Sequence, residues 1–314
     1  KAISFEGTID NSIFVQNNGL TSVRSLYPPL TPYSLAYMYI LGLKNTKIVG
    51  VLFFISTILV FYTFLRKEVH RLNAIFFTLM LLLVPQYLLF GTISSSNITC
   101  VFYVVAGFLS IYYWFDKKDN TYFVIGVISF VFAVWTRTDA IVLAVGSGVF
   151  VLFDALRTRK LVRLSFFCLS IILIFFIWQF YLDIVLEHKS IQPIITTFFW
   201  DPVKVNIMIR KISFVTFNLD FFGLTMHLFF LAFVLNIYNT IRYKNKLVYL
   251  IGLFVSWMLY ILLYYQIDSD FSTNTLGGWI TSGYKRGLFY FIPLALFFTS
   301  TNKLSIWVFS KLSE

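Results

Sequence analysis

The chain has 314 residues, of which 59% are apolar, 20% aromatic and only 12% charged, and its mean hydropathy is +0.80. Soluble domains carry about 25% charged residues, so the composition excludes an ordinary soluble domain and points to a membrane protein. The formal net charge of +11 is therefore read first as a membrane-topology signal, and nucleic acid is not among the expected partners.

Residues 1–46 open the chain as a polar segment that contains "GTIDNSIFVQNNGLTSVRSLYPPLTPY" at 7–33. Proline fixes its own φ and biases its predecessor away from the helical region, so "YPPL" predicts extended backbone ahead of a short helix. That helix, "TPYSLAYMYILGL" (31–43), is too short to span, ends at Lys44 and Lys47, and is expected to lie in the interface with Tyr33, Tyr37 and Tyr39 at headgroup depth. Nine runs then approach the roughly 20 residues that cross a bilayer: 47–66, 72–92, 96–115, 121–136, 139–156, 162–182, 223–241, 247–266 and 286–301. The tail "LSIWVFSKLSE" is too short for a tenth, and "WTRTD" reads as a tight turn between two helices. The expected fold class is an all-α, polytopic transmembrane helix bundle over 47–314, preceded by a first loop at 1–46.

Lys and Arg concentrate in "RKEVHR" (66–71), "DKKDN" (116–120), "RTRKLVR" (157–163), "RYKNK" (242–246) and the tail, which together hold more than half of the 25 basic residues. The positive-inside rule makes these loops cytoplasmic. Residues 1–46, 183–222 and 267–285 are then extracytoplasmic, and a protein with its long loops on one face is expected to work on that face. The expected location is the plasma (inner) membrane of a prokaryote. An exported N-terminal loop also implies a hydrophobic helix upstream of Lys1. Cys100 is expected near the outer end of its span and Cys168 near the inner end of its own, too far apart in depth to bridge; both read as packing residues.

His70, His188 and His227 are scattered, and the sequence has no HExxH, CxxC, GxSxG or Walker-type loop. No metal ligand set and no cofactor are therefore expected. What remains is a group of carboxylates and cations on the outer face. Asp10 there is a candidate general base for an acceptor hydroxyl. Arg24 and Arg286 are candidates for holding a phosphate. Simpler readings stand beside these: Asp10 as a solvated acid or cap, Arg286 as an interfacial anchor, and Arg137 with Asp139 as a turn pair in which Asp139 caps the following helix. "NIT" at 97–99 is a glycosylation sequon where the host modifies such sites.

The order of "DNSIF" (10–14), Gly19 and "YPPLTP" (27–32), followed by "AVWTRTDAIVLAV" (133–145) and "YKRGLFYFIPL" (284–294), resembles the polytopic GT-C glycosyltransferases. The likeness is to the bacterial and archaeal relatives of protein mannosyltransferases and the aminoarabinose transferase. The resemblance implies transfer of a sugar from a polyprenyl-phosphate carrier to a glycan, lipid or protein acceptor on the outer face. It implies Asp10 as catalytic base and Arg24, Tyr27, Arg137 and Arg286 as substrate-binding residues. Asn11 stands where the family has its second acid and Phe14 where it has tyrosine, and Glu6 is off the motif's spacing. An O-antigen polymerase or ligase, or a non-enzymatic polysaccharide or lipid flippase or exporter, is the alternative.

Overall fold

A membrane interior offers backbone groups no water, so an apolar run there closes its hydrogen bonds within a helix. In the structure, a computed structural model, the described residues are 28–45, 47–93, 95–184, 200–243, 246–267 and 283–312, and among them every regular element is helical. In chain order the helices are α1 (Leu30–Ile40), α2 (Ile48–Glu68), α3 (Arg71–Leu82), α4 (Pro85–Gly91), α5 (Ser96–Lys117), α6 (Asn120–Thr136), α7 (Ile141–Thr158), α8 (Val162–Ile184), α9 (Pro202–Phe217), α10 (Leu219–Phe222), α11 (Thr225–Tyr243), α12 (Leu247–Ile267), α13 (Lys285–Thr301) and α14 (Lys303–Leu312).

Among the described residues, five helices are long and apolar enough to cross a membrane, or up to seven if two bent pairs each count as one span. The chain is thus a helical integral membrane protein, and the nine separate spans expected from the sequence are not all present as such. The expected span 72–92 breaks into α3 and α4, which meet at 69°. The break falls at Leu83 and Val84, just ahead of Pro85, where proline withholds an N–H and its ring disfavours a helical predecessor. Helix α6 stops at 17 residues because Arg137 turns to extended backbone. Helix α11 has 19 residues but carries His227, Asn236, Asn239 and Arg242; buried Asn236 satisfies its own amide by donating to Ala232 O at 2.8 Å. The tail forms α14, bent 61° from α13.

Helix α1 occupies most of the expected interfacial helix and ends in a left-handed Gly42 (φ 80), where the Leu43 N–H returns to Met38 O at 3.0 Å. Pro28 and Pro29 ahead of it are buried, while Tyr33 and Tyr37 are exposed.

The basic turns gather at one end of the bundle. Lys67 donates to Tyr122 Oη, Arg163 donates to Asn120 Oδ1 at 3.1 Å, Lys303 Nζ stands 4.5 Å from the centre of the Tyr243 ring, and Lys246 pairs with Glu68 at 3.3 Å. The buried carboxylate of Asp154 accepts Lys118 at 2.8 Å and lies 3.5 Å from Arg163, tying α7 to the ends of α5 and α8. Three tight turns here place Lys118, Arg159 and Lys246 in left-handed backbone with φ 60, 57 and 56. Below, this is the basic end, and the other is the distal end.

Two helices form the centre. Helix α5 is buried along nearly its whole length, and α13 is buried at every residue from Gly287 to Thr301. Pro293 lies inside α13, so the carbonyl four residues earlier, Phe289 O, has no helical partner. Tyr87 of α4 supplies one, donating at 3.1 Å. Tyr249 of α12 donates to Leu294 O at 2.8 Å and Asn73 of α3 to Ser300 O at 3.1 Å. Elsewhere small residues permit close approach: a Cβ on Gly252 of α12 would lie 2.8 Å from Gly146 O of α7, and a Cβ on Gly146 would lie 1.7 Å from Ser256 Oγ. Cys100 is buried, whereas Cys168 is exposed on the flank of α8, so only the first is a packing residue; both are free.

Candidate functional site

The distal end is organised by α9, inside the expected long segment 183–222. Its start is specified locally: Asp201 at the cap accepts from Val203 N at 2.9 Å and Lys204 N at 3.3 Å, with Pro202 in the first turn. The same turn is fastened to the end of α12, because the Asp201 N–H donates to Tyr265 Oη at 2.9 Å and Lys204 Nζ donates to Tyr265 O at 2.6 Å. At its other end, Thr216 meets the Tyr284 hydroxyl at 3.3 Å. Trp257 Nε1 of α12 donates to that hydroxyl at 2.7 Å. Indole is a donor only, so Tyr284 accepts from Trp257, while in its contact with Thr216 either hydroxyl can donate. One hydroxyl therefore joins α9, α12 and the start of α13. Burial pushes the Tyr284 phenol up to about 12, with the hydrogen bonds to Thr216 and Trp257 opposing; it stays protonated at neutral pH and serves as a donor and acceptor, not as a base.

Beside it, Tyr260 shares a hydrogen bond with Tyr264, hydroxyl to hydroxyl at 3.2 Å. The Tyr260 ring lies over Gly287, where a Cβ would fall 1.8 Å from ring carbons, so the glycine after Arg286 is what admits this tyrosine.

The third component is the turn between α6 and α7. Arg137 donates through Nε and Nη2 to both oxygens of Asp139, at 2.9 and 2.7 Å, and through Nη1 to Asn97 Oδ1 in the first turn of α5 at 2.9 Å. The pair is buried, with side chains 7% and 15% exposed. This is the turn pair read from the sequence, but the predicted cap is corrected: Asp139 makes no capping bond to α7, whose first turn follows a short 3₁₀ turn at Thr138–Ala140. Both carboxylate oxygens face back to the guanidinium. Helix α7 crosses α12 with Gly146 against Gly252 and Ser256, and the turn that precedes α7 therefore lies toward the Tyr260 part of α12; Cys100 of α5 lies beside the same turn, its thiol 3.9 Å from Ala133 O. Asn97, the first residue of the sequon, is buried and committed to Arg137.

Of the sequence-predicted site residues, Asp10, Arg24 and Tyr27 lie outside the described residues, as do Glu6 and Asn11. Arg137 lies in the buried pair. Arg286 is exposed in the first turn of α13 and makes no hydrogen bond or ion pair with a described residue. Its neighbour Lys285 stands 4.3 Å from the centre of the Phe221 ring, which brings α10 against this terminus. The structure adds Tyr260, Tyr264, Tyr284, Trp257, Thr216 and Asn97. The i, i+4 spacing of Tyr260 and Tyr264 was a usable signal, since it sets both hydroxyls on one face of a helix end. Thr216 and Asn97 had none.

Chemically, the neighbourhood offers hydroxyl and indole groups for hydrogen bonding and an internally neutralised guanidinium. Asp139, engaged by Arg137 through both oxygens, is not placed to take a proton from a substrate. Among the described residues no group of three or more His, Cys, Asp or Glu is positioned to hold a metal ion. No family model, curated protein or solved structure matches the chain.

Proposed function

We propose that the protein is an integral-membrane glycosyltransferase of the GT-C kind, moving a sugar from a polyprenyl-phosphate donor to an acceptor at the extracytoplasmic face. The observation that carries the reading is the concentration of polar and aromatic groups at the end of the bundle away from the basic turns: Tyr260, Tyr264, Tyr284 and Trp257 beneath α9, with Arg137 and Asp139 adjacent. If the basic turns are cytoplasmic, that end faces outward. In this reading the site lies at the outer membrane surface, where an insoluble donor would present its phosphate.

In this reading Asp10 takes the proton of an acceptor hydroxyl, the acceptor oxygen bonds to the anomeric carbon, and the bond from that carbon to the carrier phosphate breaks. The polyprenyl phosphate leaves with the electron pair. Arg24 and Arg286 offset its charge, aided in the case of Arg286 by the positive end of the α13 dipole. Tyr27 and Arg137 are assigned to substrate binding. The inner membrane of a prokaryote is the proposed setting.

The test is sugar transfer from a polyprenyl-phosphate donor by the full-length protein in lipid vesicles. Asp10→Asn is expected to lose about 10²–10⁴-fold in rate. Undiminished transfer by that variant removes Asp10 from the mechanism, and a wild-type protein that consumes no such donor removes the class.

A further inference from the structure

The turn between α7 and α8 carries four cations, Arg157, Arg159, Lys160 and Arg163, and the fold divides them. Arg163 is committed inward, 3.5 Å from the buried Asp154 carboxylate and donating to Asn120 Oδ1. Arg157, Arg159 and Lys160 are exposed and make no hydrogen bond or ion pair with a described residue. Arg159 also holds left-handed backbone, with φ 57, at a helix end where glycine is favoured. At the two other turns of this kind the left-handed residue holds a carboxylate: Lys118 that of Asp154, Lys246 that of Glu68. Arg159 stands in the same position with its charge unmet. The negative end of the α7 dipole favours cations in its last turn, which accounts for Arg157 but not for Lys160, beyond the helix.

The flanks of the turn are apolar. Leu156 before it and Leu161 and Val162 after it are 68%, 62% and 79% exposed. From Val162, α8 carries an exposed stripe at helical spacing through Phe166, Leu169 and Leu173. At about 1.5 Å per residue the stripe is about 17 Å long, against about 15 Å for half a hydrocarbon core. Only Leu161 separates Lys160 from Val162, so the continuity of the chain sets the cations at the head of the stripe. A soluble acidic partner would meet the charges and leave the apolar flanks bare, whereas a phospholipid covers both.

We propose that the α7–α8 turn and the adjoining stripe of α8 form a binding site for an anionic phospholipid of the leaflet at the basic end. Arg157, Arg159 and Lys160 hold its phosphate, and an acyl chain lies along α8. Anionic lipid is drawn to each unneutralised cation at this depth, and Asp154, by taking Lys118 and Arg163, leaves three of them facing out. The inference does not depend on the proposed catalytic activity.

Cys168 supplies the reporter, since it is exposed on α8 while Cys100 is buried. The full chain, with a fluorophore on Cys168, is placed in bilayers of equimolar phosphatidylglycerol and phosphatidylcholine, a nitroxide-labelled acyl chain being carried by one lipid or by the other. The wild type is expected to be quenched more strongly by labelled phosphatidylglycerol. Arg157→Gln and Lys160→Gln should each lower that preference about fivefold. Arg159→Gly should do the same without lowering the thermal midpoint, because glycine suits the left-handed turn; loss of binding is thereby separated from loss of fold. Arg242→Gln with Lys303→Gln, which removes two exposed cations from other turns at the same end, should leave the preference unchanged. Equal quenching by the two lipids in the wild type overturns the proposal, as does a preference that survives removal of all three cations of the turn. A preference lowered as far by Arg242→Gln with Lys303→Gln also overturns it, because the lipid then answers to the charge of the whole end and not to this turn.

Discussion

Replacing Arg137 by Gln isolates what the distal ion pair contributes. The guanidinium gives two hydrogen bonds to Asp139, at 2.9 and 2.7 Å, and one to Asn97 at 2.9 Å, and the two charged side chains are only 7% and 15% exposed. Without Arg137, the Asp139 carboxylate remains in a low-dielectric site with no counter-charge, a loss of about 3–5 kcal/mol, whereas an exposed pair contributes at most about 1 kcal/mol. Asn97 loses a buried donor, adding about 1 kcal/mol. At about 2 °C per kcal/mol for a chain of this size, Arg137→Gln should lower the thermal midpoint by roughly 8–12 °C. Tryptophan fluorescence of protein in lipid nanodiscs during heating reads this directly. The double variant Arg137→Gln with Asp139→Asn leaves no lone charge and should recover most of the loss. A single variant within about 2 °C of wild type would refute the reasoning, because a desolvated carboxylate cannot lose the one cation paired with it among the described residues at so little cost. A double variant as unstable as the single would show that packing, not charge, is what Arg137 supplies.

Two further outcomes follow from the packing and the basic end. Gly252→Leu should lower the same midpoint by several degrees, since overpacking costs about 1–3 kcal/mol and the added Cβ alone meets Gly146 O at 2.8 Å; Gly148→Ala, whose Cβ would find Phe167 at an ordinary 3.5 Å, is the tolerant control. A Gly252→Leu midpoint equal to that of the control contradicts the close crossing of α7 and α12. For Lys246, burial pulls the ammonium from 10.5 down to about 8, against the pull of Glu68. Below pH 8 both folded and unfolded chains hold the proton and this group gives no pH dependence. Between about 8 and 10.5 the unfolded chain keeps a proton that the folded one has released, so stability rises with pH. The midpoint of the wild type relative to Lys246→Met should therefore increase from pH 8 to 10, and a flat or falling difference rejects the assignment.

Much of the helical layout was legible because an apolar run near bilayer length has one backbone solution. The spans expected at 47–66, 96–115, 139–156, 162–182 and 247–266 correspond to helices that pass as spans by length and composition. Pro85 was visible in the sequence but its consequence, a 69° break, depends on what α4 packs against. Facing is what the sequence hides. Helices α8 and α13 both carry long apolar runs, yet α8 exposes Phe166, Leu169, Leu173, Phe176 and Phe180 while α13 is enclosed from Gly287 to Thr301. Lipid and protein neighbours are equally apolar, so periodicity carries no signal for which side meets which. The site was partly legible because charge is rare enough in such a chain for Arg137 and Asp139 to stand out, and the spacing of Tyr260 and Tyr264 sets them on one helix face, but among 19 tyrosines it takes the fold to join Tyr284 to them.

The enclosed helix α13 also sets an order of events. It leaves the ribosome after α2 to α12, yet it supplies the acceptors Phe289 O, Leu294 O and Ser300 O for Tyr87, Tyr249 and Asn73. Until it arrives, those three donors surround a slot that only lipid or water can occupy. Completion of the bundle is therefore a late, post-insertional event in which a finished helix displaces those occupants. A nascent chain stalled before Lys285 would carry an interior in which the Tyr87, Tyr249 and Asn73 donors lack their α13 acceptors.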